Sequence, residues 1–65
     1  MQTDSAVTIT VTLSDAQAEA FAQFLKRVGL SDYAALTRDQ AEAYTMLHAG
    51  EAIRQALAHA GYAPR

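Results

Sequence analysis

From Val7 to Leu13 every second residue is aliphatic and every residue between is threonine: Val7, Thr8, Ile9, Thr10, Val11, Thr12, Leu13. Aliphatic, mostly β-branched residues with a period of two are the pattern of a strand with one dry face, and they predict a β-strand over about residues 6–13. The period then changes. Ser14 and Gln17 have the spacing of a capping box, Leu13 can staple onto Ala18, and Asp15 suits the positive end of a helix. Ala18, Phe21, Phe24, Leu25 and Val28 share one helical face, opposite Glu19, Gln23, Lys26 and Arg27. A helix over about 15–28 follows, with Gly29 as its stop and Leu30 packing back on Leu25 as in a Schellman cap.

Ser31 to Leu36 reads as one further turn of helix. Thr37-Arg38-Asp39-Gln40 has a second capping-box form, with Leu36 and Ala41 at the staple positions. Beyond it Ala43, Met46, Gly50, Ile53, Leu57 and Ala60 recur at spacings of three and four. Gly61 is placed as a left-handed cap, Tyr62 as its contact with Leu57, and Pro64 as a stop, so the long helix runs over about 38–60. Gly50 in the middle of the stripe costs about 1 kcal/mol against alanine, which predicts either a close crossing there or a bend. The two helix starts also resemble each other, five of nine positions from Leu13 and from Leu36 being identical. The likeness stops after Phe21 and Tyr44, so two amphipathic helices sharing one good start sequence account for it better than a duplicated unit does.

The predicted class is therefore α+β and mostly helical, one strand followed by two main helices in a single domain over 1–65, with residues 1–5 as a disordered tail. A lone strand leaves its backbone polar groups without ladder partners. The same strand of a second copy, antiparallel about a two-fold axis, would supply them, and the alternative is the sheet edge of another protein. Length points the same way. A helix over 38–60 would extend about 35 Å and one over 15–28 about 21 Å, so the far end of the long helix would overhang. The expected dimer interface is accordingly Val7, Ile9, Val11, Leu13, Ile53 and Leu57.

Composition narrows the function. A 65-residue chain buries only about 60% of the surface that its unfolded form exposes, so a monomer is marginal. There is no cysteine to staple it, which suits a reducing cytoplasm. A net charge of -2 with dispersed bases is a poor footprint for nucleic acid. No apolar run approaches the roughly 18 residues that span a bilayer, and no secretory signal pattern opens the chain. The expectation is a soluble cytoplasmic protein with no membrane association.

Candidate chemistry is sparse. His48 and His59 lie on one face but eleven residues apart, about 16 Å along a helix, too far to share an ion. His48 and Glu51 give two ligands where zinc takes at least three, so no metal and no cofactor is implied. No nucleophile elbow, phosphate loop or carboxylate in an apolar run is present, and catalysis is not expected. Tyr44 and Leu47 fall off the main stripe. With Tyr33 they could close a small cluster around the linker, or they could stand exposed as an anchor for a protein partner.

Ile9-Thr-Val-Thr-Leu13-Ser-Asp followed by Phe24-Leu-Lys-Arg-Val-Gly29 resembles the opening half of the ribbon-helix-helix family of dimeric repressors and antitoxins, over about residues 7–31. The resemblance implies that Thr8, Thr10 and Thr12 face DNA, as residues of the strand do in that family. Those three positions hold no Lys, Arg, Asn or Gln, and phosphate contacts dominate such affinity. The whole chain, including its Gly61-Tyr62-Ala63-Pro64-Arg65 ending, also resembles small strand-helix-helix proteins of bacterial plasmids and integrative elements, which implies an accessory role and no activity. The expected function is a non-enzymatic homodimeric module that binds another macromolecule, with a repressor or antitoxin as the alternative.

Overall fold

The computed structural model describes residues 5–64. Among them it forms three helices, α1 (Asp15–Arg27), α2 (Leu30–Ala34) and α3 (Gln40–His59), and no strand. The predicted strand over 6–13 is overturned, and with it the α+β class. Those residues form an exposed arm without regular secondary structure. Among the described residues, none of the arm's backbone groups is in a hydrogen bond. An alternating pattern chooses a face, but a strand exists only where a ladder partner lies alongside, and three helices offer none. The strand that the ribbon-helix-helix resemblance implies is likewise not formed. Apart from Ser5, the expected tail over 1–5 lies outside the described residues.

The start of α1 follows its sequence. The Gln17 N–H donates to the Ser14 hydroxyl (3.1 Å) and the Ser14 N–H to the Gln17 side-chain oxygen (2.9 Å), closing the capping box. Its end does not. Val28 is extended, with φ -69° and ψ 133°, and Gly29 has φ -120°, so no Schellman turn forms there. Gly29 instead precedes α2, and its N–H donates to the Asp32 carboxylate at 2.8 Å. The acidic side chain three positions into α2 captures the glycine that would otherwise have closed α1.

The start of α3 also differs. Asp39 is the N-cap, accepting from the Glu42 N–H at 2.8 Å. The Thr37 hydroxyl donates back to the Ala34 carbonyl (3.3 Å), which the end of α2 leaves to satisfy, and forward to the Asp39 carbonyl (3.0 Å). Helix α3 thus begins two residues later than predicted, and Leu36, expected to staple it, is 83% exposed. The far end is as the sequence requires. Gly61 has φ 103°, the Tyr62 N–H donates to the Leu57 carbonyl (2.8 Å) and the Gly61 N–H to the Ala58 carbonyl (3.0 Å), which are the two bonds of a Schellman motif.

Helix α3 is the spine of the molecule, and α1 and α2 both pack on it. Helix α1 runs antiparallel along its second half. The Tyr62 hydroxyl donates to the Asp15 carboxylate, while at the other end Leu25 reaches the level of Gly50. Helix α2 occupies the rest. A Cβ on Gly50 would stand 3.3 Å from Cζ of Tyr33, nearer still to its hydroxyl, and 3.6 Å from Leu25. Of the two options at Gly50, close approach is the one realised, with the Tyr33 ring laid on the glycine.

The expected overhang is therefore not at the C-terminal end. The connection through residues 28–39 carries the chain along the first half of α3, so α1 pairs with the second half and Leu57 enters the chain's own core. That core is Ala18, Ala22, Leu25 and Leu57, with Val28 and Tyr62 packed at its margin, while Ala43 and Gly50 are buried along α3. Among the described residues, no large side chain is fully buried.

Candidate self-association face

Helix α1 buries the narrow stripe Ala18, Ala22, Leu25, at spacings of four and three, and so leaves its phenylalanines outside it. Phe21 and Phe24 stack on each other, centroids 5.6 Å apart and planes 10° from parallel, and Phe24 is 52% exposed. On α3 the buried stripe is Ala43, Gly50, Leu57, while Met46 and Ile53 stand half out of it. The arm adds Val7, Ile9 and Val11, at 82%, 69% and 71% exposure.

These residues meet. Ile9, Val11 and Leu13 of the arm, Phe21 of α1, and Ile53 and Leu57 of α3 line one groove of about 520 Å³, with Thr10, Ala56 and Ala60 completing its wall. Leu13 and Phe21 continue into a second depression with Gln17, Ala20 and Phe24. Ala20 and Phe24 continue into a third, about 500 Å³, which passes Val28 and Tyr33 to reach Leu36, with Gln23, Arg27 and Asp32 beside it. An apolar belt thus crosses from the end of α3 over α1 to the linker.

Of the six residues expected at a dimer interface, five line the first groove and Val7 lies on the exposed arm beyond it. Leu57 belongs to the groove wall and to the core together. Sequence reasoning placed Phe21 and Phe24 in the buried face of their helix and did not single out Ala22. A readable signal was present: the apolar arc of α1 is wider than the one helix packed on it can cover.

Tyr44 and Leu47 line none of these three grooves. Tyr44 is exposed beside His48, ring centroids 6.4 Å apart, and Leu47 is half-buried. Tyr33, their expected companion, is committed to Gly50. Thr8, Thr10 and Thr12 are exposed along the arm. Glu51 and Arg54 pair across one helical turn at 3.7 Å, a surface contact of little consequence for stability. The Tyr62 phenol is held above its ordinary pKa, first by its hydrogen bond to Asp15 and then by partial burial and the charges of Asp15 and Glu19. Among the described residues, no three His, Asp or Glu side chains cluster as a metal site would need, and no helix is long and apolar enough to cross a membrane.

The arrangement defines a class by shape, a small helical unit with one spine helix and an apolar belt continued by an arm. The chain belongs to a family of unknown function (DUF7706), whose model matches residues 1–65. Neither a comparison with curated proteins nor one with solved structures yields a match.

Proposed function

We propose that this chain is a non-enzymatic, self-associating helical module whose apolar belt is covered by a second copy, and that the resulting dimer binds another macromolecule in the cytoplasm. One observation carries the reading. The molecule measures 39 × 27 × 16 Å, and 16 Å is little more than the roughly 10–12 Å diameter of a single helix. Globular units bury their apolar faces between packed layers, and here α1 and α2 cover only the buried stripe of α3, so that the belt has no layer over it.

The exposed area is sufficient for a partner. Val7, Ile9, Val11, Leu13, Phe21, Phe24, Leu36 and Ile53 together present on the order of 800 Å² per copy, about what each side of a standard interface contributes. A second copy is the economical occupant, because one self-complementary face then covers both belts. The likeness to small proteins of plasmids and integrative elements suggests the setting, an accessory protein acting through contacts. Tyr44, exposed and apart from the belt, is the residue left for a further partner.

Folding coupled to association makes the unfolding midpoint rise with protein concentration. Chemical denaturation followed by circular dichroism should show that rise for the native chain. Ile53→Asp should hold the midpoint at the dilute value at every concentration. A midpoint independent of concentration for the native chain would overturn the reading.

A further inference from the structure

We infer that the arm of each copy seats in the third depression of the other, along Ala20, Phe24 and Val28, so that the two copies exchange arms. This rests on the self-association proposed above and adds which surfaces meet. Within its own chain the arm lines a groove that remains about 520 Å³ open beside it, and its aliphatic side chains stay mostly in water. Its own helix therefore does not provide its seat.

The receiving surface does match it. In an extended segment, Val7, Ile9 and Val11 fall on one face at intervals of about 6.6 Å, with the threonines on the other. Ala20, Phe24 and Val28, four residues apart along or just past α1, repeat at about 6.0 Å. Three aliphatic side chains thus meet three positions in step. The depression they enter holds about 500 Å³ and is overhung by Leu36, the most exposed of the large apolar residues. With the aliphatic face down, the threonine face and the backbone groups on that side stay in water, which satisfies them without a ladder.

The joint permits the movement. Ser14 is extended, with φ -69° and ψ 163°, and its capping box is made with Gln17, so residues before Ser14 can redirect without opening α1.

The chain has no cysteine, so single-cysteine variants report contacts between copies without background. Ile9→Cys and Phe24→Cys, both at exposed positions, are mixed as full-length proteins and oxidised at equilibrium, and light scattering measures mass beforehand. The mixed Ile9–Phe24 disulfide should exceed either self-linked product several-fold, since only side chains with Cβ atoms about 3.5–4.5 Å apart join readily. Dimers in which Ile9→Cys links chiefly to itself would show arm against arm, overturning the exchange while self-association stands. A monomeric mass for both variants and for the native chain would overturn both.

Discussion

Gly50 is where a single atom decides packing. A Cβ there meets the Tyr33 ring and Leu25, and α2 is held on α3 through that contact. Alanine in a helix is worth about 1 kcal/mol over glycine, and overfilling a packed contact costs about 1–3 kcal/mol. Gly50→Ala should therefore destabilise the native chain by about 1 kcal/mol. In a Tyr33→Ala background the obstruction is gone, and the same change should stabilise by up to about 1 kcal/mol. A double-mutant cycle by denaturant titration measures the reversal of sign. The sequence announced that Gly50 was special but not why, because the side chain that needs it lies seventeen residues earlier, in a segment read as one short turn of helix with no assigned contact to Gly50. Tyr62 is a parallel case. Its place in the C-terminal cap followed from local spacing, whereas its bond to Asp15 joins residues that no local pattern relates.

At the scale of elements, caps were legible where the flanking chain left them alone. Ser14 caps α1 and Gly61 closes α3, each as its spacing implies. Thr37 and Gly29 were diverted by α2, whose brief helix claims the groups on either side of it. Capping makes a direct comparison possible. Asp39→Ala should cost about 1 kcal/mol of stability, the usual loss of an N-cap, and Thr37→Val distinctly less; the reverse order in urea titrations would restore Thr37 as the cap. The junction between α1 and the end of α3 carries a pH dependence. Because the Tyr62 phenol has a raised pKa when folded, its contribution is fully present below the unfolded value of about 10 and is lost as pH rises through the folded one. Thermal melts should thus fall more steeply above pH ~10 for the native chain than for Tyr62→Phe, and parallel falls would remove that contribution. The arm is the element the sequence misjudged. Its alternation does mark an aliphatic face, but whether that face joins a sheet is settled by neighbours, and α1, α2 and α3 provide no edge.

For the whole molecule, two bulk quantities agree. The chain exposes 5509 Å², whereas a compact monomer of 7.0 kDa would expose roughly 4000 Å². Its radius of gyration is 13.3 Å, against about 10.7 Å for a compact domain of this length. Among the described residues, a buried set of three alanines, a glycine and two leucines is small, and Leu25→Ala or Leu57→Ala alone would remove about 2–5 kcal/mol, on the scale of all the stability a domain this short commands. The expectation of a partner came from the short length and the apolar alternation of the arm. The surface left uncovered was only half readable, since Phe21, Phe24 and Leu36 had been assigned to internal packing. The most direct measurement is sedimentation equilibrium of the native chain across micromolar concentrations. The proposed self-association predicts a mass of twice 7.0 kDa that falls toward the single-chain value on dilution. A constant single-chain mass, with the helical circular dichroism intact, would contradict it.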